Sequence, residues 1–302
     1  MSHPLSGSTS QGRGAIVVGF SMSTSSQNAV RWAAAEAERH KTGLCIVHAF
    51  RLPQLGQPVQ HDVDDLLHNE ASALLSRIAE STRRDHPHLQ ITARLIQKAP
   101  VNALGDESVG AVLTVVGARE SGRLAAAILG SVASAVATAN PVPVAVVHPD
   151  HPLHGTGPVV VGIDGSAGSS AAIGFAFAEA ALRNTELLAV HAGDQSVKEG
   201  DPADHPPLSG PDAVEHEESA VLSEALAEWC AKYPGVVVTQ AVQRGKAVTV
   251  LLEHSRSASI VVVGRRPRGE FEAFVMGSTS RSLIAHSPCP VVIVRSRETD
   301  DK

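Results

Sequence analysis

The chain carries the same order of segments twice, so any fold assigned to it must accommodate two similar units. GAIVVGFSMSTSSQNAVRWAAAEA, from Gly14, and GPVVVGIDGSAGSSAAIGFAFAEA, from Gly157, share one apolar pattern. LTVVGARESGRLAAAILGS, from Leu113, matches IVVVGRRPRGEFEAFVMGS, from Ile260, in the same way. A period of about 145 residues is that of a duplicated domain, since the units of solenoid proteins are only about 20–50 residues long.

The repeat sets the expected domain boundaries. We expect a first domain at residues 13–148 and a second at residues 159–297. A polar linker rich in Pro, Gly and His, at residues 149–158, joins them. Residues 1–12 lack the apolar stretch of a signal peptide and are predicted to form a disordered tail.

Each copy alternates short runs of β-branched residues with Ala-rich stretches of helical character. This alternation predicts right-handed βαβ crossovers and therefore an open parallel sheet with helices on both faces. Aromatic residues make up only 3% of the chain, so the core must be built from Ala, Val, Leu and Ile. That composition suits buried parallel strands. The predicted fold class is α/β.

Charge and cysteine content argue against several functional classes. The net charge of −6 at pH 7 gives no electrostatic argument for nucleic acid or an anionic membrane as a partner. No apolar stretch approaches the roughly 20 residues that span a bilayer. Cys45, Cys230 and Cys289 lie far apart, which favours neither a disulfide framework nor a zinc site. We expect a cytoplasmic protein.

The first candidate site is a basic loop that leads into a helix in the second copy. A buried strand ends at Gly264, an Arg- and Gly-rich loop follows, and Gly277-Ser278-Thr279 opens a helix. Backbone N–H groups at a helix N-terminus favour phosphate, and small residues let the chain approach it closely. Arg265, Arg266 and Arg268 offer positive charge. The alternative is that Gly and Ser merely turn the chain and cap the helix.

The second candidate site is the turn after the first strand of the second copy, Gly162-Ile163-Asp164. An acidic residue at a strand's carboxyl end in such folds hydrogen-bonds ribose hydroxyls, and ligands lie where the strand order reverses. A helix-capping aspartate is the alternative interpretation. The first copy has Ser21 at this position and therefore lacks the carboxylate.

Histidines occur at matching strand ends in the two copies, as His48 and His191. A general base is one interpretation, but no nucleophile lies nearby in the sequence, so a structural or adenine-adjacent histidine is favoured. His148, His151 and His154 do not follow the spacing of a zinc site. The sequence predicts no catalytic residue and no metal ligand.

Taken together, VVVGIDGS, VHAG, residues 264–278 and PCPVVIV resemble the universal stress protein family, here as a tandem two-domain member. The resemblance implies two flavodoxin-like domains of the adenine nucleotide alpha hydrolase type, each with a five-stranded parallel sheet. It also implies ATP as ligand, with Mg²⁺ left open, and dimerisation through the last strand. That pairing would join either two chains or residues 144–148 and 291–295 of one chain, because an uncovered edge strand invites pairing.

The family's ATP-binding pattern is Gly-x2-Gly-x9-Gly-[Ser/Thr], and both copies depart from it at the second glycine. The second copy has Pro267 there, which fixes φ and removes an N–H donor. Gly269, two residues later, offers flexibility from a shifted position. The first copy has Glu120, whose carboxylate would repel phosphate. We therefore expect weakened binding, mainly in the second domain, by Gly162, Ile163, Asp164, Gly264, Arg266, Arg268, Gly269, Gly277, Ser278, Thr279 and Ser280.

Three functions remain open on the sequence alone. The first is an adenine-nucleotide-binding regulatory protein of the stress response. The second is an interaction protein that acts through its dimer interface and has lost the ligand. The third is a slow ATP hydrolase, which is least favoured because the chain has no Walker-type GK[ST] motif.

Overall fold

The computed structural model describes residues 14–51, 59–118, 130–149, 155–193, 211–265 and 276–295 of the 302-residue chain. The predicted tail at residues 1–12 lies outside these ranges. The first domain contains β1 (Ile16–Phe20), α1 (Thr24–Arg39), β2 (Leu44–Ala49), α2 (Val59–Asp85), β3 (Ile91–Ile96), α3 (Pro100–Glu107), β4 (Leu113–Gly117), α4 (Ser131–Ala139) and β5 (Val144–Val147).

The second domain repeats this order. It contains β6 (Val159–Ile163), α5 (Ala167–Arg183), β7 (Leu187–Gly193), α6 (Pro211–Lys232), β8 (Val238–Arg244), α7 (Ala247–His254), β9 (Ile260–Gly264), α8 (Ser278–His286) and β10 (Val291–Val294). Among the described residues, no helix is both long and apolar enough to cross a membrane.

All ten strands form one sheet, in the order β3-β2-β1-β4-β5-β10-β9-β6-β7-β8. Pairing is parallel within each domain and antiparallel between β5 and β10, where Val144, Ala145 and Val146 face Ile293, Val292 and Val291. The predicted α/β class with a parallel sheet is confirmed. We call the β5–β10 pairing the domain seam. Of the two pairings that the sequence left open, the structure contains the one within the chain.

Both faces of the sheet's inner strands are buried, as the strand composition predicts, whereas the edge strands β3 and β8 are partly exposed. In β1, Ile16 and Val18 belong to one apolar cluster while Val17, between them, belongs to another. α1 packs on the first of these faces through Ala29, Ala33 and related small residues, which are fully buried. The same cluster continues into the second domain, so one core runs across the seam.

Charged side chains of α1 and α5 meet beside the seam. Arg183 donates to Glu36 Oε1 through Nη2 at 2.8 Å and to Glu179 Oε2 through Nη1 at 2.6 Å. His40 Nε2 donates to Glu179 Oε1 at 2.9 Å. Glu36 and Glu179 occupy equivalent positions in the two domains, as do His40 and Arg183. These four residues, called the seam cluster below, tie the domains together by charge.

Close backbone contacts fix the first helix of each domain against the carboxyl end of a strand. A Cβ on Gly264 would lie 2.2 Å from the carbonyl oxygen of Gly168, at the start of α5. A Cβ on Gly117 would lie 2.8 Å from the carbonyl oxygen of Ser25, at the start of α1. Neither distance is sterically possible, so glycine is required at both strand ends.

Candidate functional site

A cavity of about 550 Å³ opens at the carboxyl ends of β6, β7 and β9. The strand order reverses here, since β6 lies between β9 and β7, and ligands of open α/β sheets bind at such points. The predicted site residues that line it are Gly162, Ile163, Asp164, Gly264, Gly277, Ser278, Thr279 and Ser280. Arg266, Arg268 and Gly269, together with Pro267 and Glu120, lie outside the described residues.

The N-terminus of α8 forms one wall of this cavity and carries no capping side chain. Gly277 is its N-cap, in extended conformation with φ −58° and ψ 154°. No atom of the described residues would lie within 4 Å of a Cβ at this position. The first hydrogen bond of the helix runs from Arg281 N to Gly277 O at 3.0 Å. The preceding N–H groups have no acceptor within the helix, and a helix N-terminus of this kind favours an anion.

The helices that begin after β1 and β6 are different, because each has its own cap. Ser166 Oγ accepts from Ser169 N at 3.4 Å at the start of α5. Ser23 Oγ accepts from Ser26 N at 3.2 Å at the start of α1. α4 resembles α8, since its N-cap Gly130 has no side-chain cap either. Among the described residues, α1 and α5 therefore have side-chain caps at their N-termini, whereas α4 and α8 do not.

Asp164 lines the cavity and is exposed. Its Oδ1 accepts from Ser166 Oγ at 2.6 Å and from Ser166 N at 3.0 Å. Ser166 is therefore the N-cap of α5, and the Asp164 carboxylate supports the cap by holding Ser166 in place. In the first domain Ser21 takes this role weakly, with Ser23 N at 3.4 Å from Ser21 Oγ.

Both strand-end histidines are held by the main chain. His191 Nδ1 donates to the carbonyl of Ile163 at 2.8 Å, and His48 Nδ1 donates to the carbonyl of Phe20 at 2.9 Å. A carbonyl can only accept, so the proton must reside on Nδ1 in both rings. This geometry supports the structural interpretation of the two histidines. His148 also has a structural bond, from Nε2 to the carbonyl of Ile284 across the seam, at 2.7 Å.

Several lining residues were missed by the sequence analysis. Lys246, at the start of α7, adds a second polar group to the lining, while Val190, Leu251 and Val263 are apolar. The available signal was the Gly245-Lys246 pair between an alternating strand and a helix, which marks another helix N-terminus at a strand end. An apolar floor with a few polar groups at its rim is typical of a small-molecule site.

Arg265 does not line the cavity, contrary to its proposed role as a source of charge there. Its guanidinium donates from Nη1 to the carbonyl of Thr138, at the end of α4 in the first domain. Burial lowers the pKa of Arg265, and the charge of nearby Arg295 lowers it further. The sequence alone did not predict this contact, because Arg265 and Thr138 belong to different domains.

The first domain presents aromatic rings at the corresponding strand ends. Phe20 and Phe50 stand where the second domain has Ile163 and Gly193. The ring of His48 lies between them, 5.9 Å from that of Phe20 and 6.4 Å from that of Phe50. The two domains are therefore unlike at this edge of the sheet.

A larger cavity, of about 740 Å³, lies at the amino ends of β6 and β7, on the opposite edge of the sheet. Asn184, Glu186 and Tyr233 are among its lining residues. It contains none of the predicted site residues, and ligands of open α/β sheets bind at the carboxyl ends instead.

Potential metal ligands also come together in the seam cluster. Within the described part of the chain, Glu36, His40 and Glu179 have ligand atoms within 4.8 Å of one another. Arg183 already donates to both carboxylates, and Arg39 Nη1 donates to Glu36 Oε1 at 2.6 Å. Two guanidinium charges balance the two carboxylates, so we interpret the cluster as an ion-pair network.

The fold and the site geometry define a tandem, doubly wound α/β protein with a ligand-sized cavity at its switch point. A sequence model of the universal stress protein family matches residues 12–148 and 156–295. The chain therefore belongs to the universal stress protein family, as its sequence motifs indicate.

Individual relatives support this assignment over nearly the whole chain. A universal stress protein of Mycobacterium tuberculosis (strain H37Rv) is 35% identical over 308 residues, covering 97% of this chain and 99% of the relative. One from Mycolicibacterium smegmatis is 33% identical over 292 residues, covering 93% and 97%. The crystal structure of a universal stress protein from Archaeoglobus fulgidus has a TM-score of 0.71 at 19% identity, covering 93% of this chain and 98% of that one. The last match supports the fold alone.

Proposed function

We propose that this protein is an adenine-nucleotide-binding regulatory protein of the stress response and that ATP binds in the cavity of the second domain. The observation that carries the proposal is the N-terminus of α8, which has no side-chain cap and lines the cavity. Its first N–H groups have no acceptor among the described residues and are available to phosphate oxygens.

The other walls suit the remaining parts of the nucleotide. The apolar floor of Val190, Leu251 and Val263 is suited to a flat adenine ring. Asp164, which lines the same cavity, is at a strand's carboxyl end, where an acidic residue can accept from ribose hydroxyls. It is the one carboxylate among the described lining residues. Any Mg²⁺ would therefore be carried by the phosphates rather than held by a cage of protein ligands.

The proposal assigns binding mainly to the second domain. The first domain has the hydroxyl of Ser21 in place of the Asp164 carboxylate and carries aromatic rings at its strand ends. Glu120, in its loop, adds a negative charge that the second domain lacks at that position. Pro267 removes one N–H donor from the second domain's loop, so the affinity is lower than in relatives with the intact glycine pattern.

Calorimetric titration of ATP into the full chain tests the proposal, with Gly277→Val and Gly130→Val as matched variants at the two helix N-caps. Both glycines have negative φ, so valine is conformationally allowed at either position. The valine side chain at position 277 would occupy the space proposed for phosphate. We expect one site per chain in the wild type, loss of binding in Gly277→Val and retention in Gly130→Val.

Thermal unfolding provides the control for folding. Gly277→Val should unfold near the wild-type temperature without ligand but show no rise with ATP, whereas ATP at 100 times its Kd stabilises a binding-competent protein by about 2.7 kcal/mol. Wild-type protein that shows no heat and no thermal shift in millimolar ATP would instead favour the interaction protein. Loss confined to Gly130→Val would overturn the assignment to the second domain.

A further inference from the structure

We infer that Lys246 binds the phosphate chain and makes the second-domain site selective for nucleoside polyphosphates over nucleosides. The inference rests on the proposed function and deepens it, because it identifies the part of the ligand that a second wall of the cavity recognises. It is carried by the placement of Lys246, by its charge environment and by the comparison with the first domain.

The backbone places Lys246 at the cavity. β8 ends at Arg244, and Gly245 then adopts φ +133°, a conformation that residues with a side chain rarely reach. Gly245 N donates to the carbonyl of Gly193 at 3.1 Å, which anchors the turn to the end of β7. Lys246 follows as the N-cap of α7 and lines the cavity together with Ala247. The position of the lysine backbone is thus set by ordered structure.

The charge of Lys246 is available to a ligand. The residue is exposed, and no carboxylate of the described ranges forms an ion pair with it. The side chain does not cap its own helix either. The uncapped start of α8 lies on another wall of the same cavity. An anion in the cavity therefore has a positive side chain and a positive helix end within one site.

The first domain has lost this cation. Ala99 is the N-cap of α3, the position equivalent to Lys246, and Pro100 follows it. Lys98, one residue earlier, forms an ion pair with Asp106 at 2.8 Å. Leu104 and Leu251 preserve the equivalence of the two helices, because each packs against the glycine of the first strand in its domain, Gly19 or Gly162. Ala99 and Lys246 therefore occupy equivalent positions in the fold and differ only in their side chains.

The test compares ATP with adenosine in the full-length chain. Lys246→Ala should weaken ATP binding about tenfold, which is the loss of one modest charge-assisted contact, and should change adenosine binding less than twofold. Lys246→Arg should retain most of the ATP affinity. Lys98→Ala, the matched lysine in the first domain, should change neither. Equal thermal unfolding of the three variants without ligand confirms that folding is intact.

Salt provides an independent readout. Raising NaCl screens a charge contact, so the ATP affinity of the wild type should fall more steeply with NaCl than that of Lys246→Ala. Unchanged ATP binding by Lys246→Ala, or an equal loss for ATP and adenosine, would overturn the inference while leaving the proposed function intact. Wild-type protein that binds neither ligand would overturn the proposed function itself, so the two failures are distinguishable.

Discussion

Replacing Arg183 with methionine should destabilise the chain more than any single change on its exposed surface. Arg183 bridges Glu36 and Glu179 at 2.8 and 2.6 Å, and its side chain is 6% exposed while each glutamate side chain is 3% exposed. Methionine has similar length and no charge. The variant therefore keeps most of the packing and leaves two buried carboxylates without the cation between them.

The expected loss of unfolding free energy in Arg183→Met follows from the burial of the ion pairs. Removing one partner from a buried ion pair costs about 3–5 kcal/mol, because the remaining charge is not solvated. A domain is stable by only about 5–15 kcal/mol, so the loss is a large share of the total. Replacing Glu36, Glu179 and Arg183 together with apolar residues of similar size should cost far less, since no buried carboxylate remains and the side chain of Arg39, which loses its bond to Glu36, is 32% exposed to solvent.

The assay is urea unfolding followed by fluorescence, because the two tryptophans report on different domains. Trp32 lies on α1 and Trp229 on α6. In the Trp229→Phe background the fluorescence reports on the first domain, and in the Trp32→Phe background it reports on the second. Since the seam cluster and the core span both domains, Arg183→Met should move both transitions to lower urea together.

Two results would refute this reasoning. One is a loss below about 1 kcal/mol in Arg183→Met, which is the range of a solvent-exposed ion pair. The other is an equal loss in the apolar triple variant, which would mean that packing rather than charge stabilises the interface. Lys98→Met is the control, because it removes the exposed ion pair between Lys98 and Asp106. It should not shift either unfolding transition.

Two further predictions concern acid stability and backbone contact. Burial opposes ionisation of Glu179, but the hydrogen bond from His40 and the charge of Arg183 outweigh it and lower its pKa. A carboxylate with a lowered folded pKa contributes stability above its unfolded pKa of about 4.3 and loses it as pH falls through the folded value. Between about pH 5 and pH 3, the unfolding free energy of Glu179→Gln should therefore decrease less than that of the wild type. Parallel curves of unfolding free energy against pH for the variant and the wild type would contradict this. Gly264→Ala should lower the unfolding free energy by about 1–3 kcal/mol in a urea titration, because its Cβ would lie 2.2 Å from the carbonyl oxygen of Gly168. Gly105→Ala, whose Cβ meets nothing within 4 Å, is the matched control, and equal effects of the two changes would exclude the steric cause.

Much of the fold was predictable because local patterns determine it. β-branched runs alternating with Ala-rich helices define a parallel α/β sheet in each copy. The grouping of Asp164, Gly264 and Gly277 followed from the same rule, since the carboxyl ends of parallel strands meet at one edge. These residues lie together in the cavity.

The remaining features depend on contacts between distant segments. Antiparallel pairing of last strands satisfies the same hydrogen bonds within a chain as between chains, so no local pattern distinguishes the two. The bond from Arg265 to Thr138 and the ion pair of Arg183 with Glu36 both cross the seam. The position of Lys246 at the cavity was not predicted, because it depends on the positive-φ glycine before it, and such a conformation is not encoded by the glycine alone.

Because the domain seam lies within one chain, contact between the two domains does not depend on the protein concentration. When two separate chains pair through their last strands, dilution separates them. Here β5 and β10 belong to one chain, and the short segment between β5 and β6 joins the two domains. Such a connection holds them at an effective concentration on the order of millimolar, whatever the amount of protein in solution. The first domain can then act as a permanent partner for the second without binding any ligand itself. That arrangement would allow the first domain to serve as a structural partner while the second domain binds the proposed ligand.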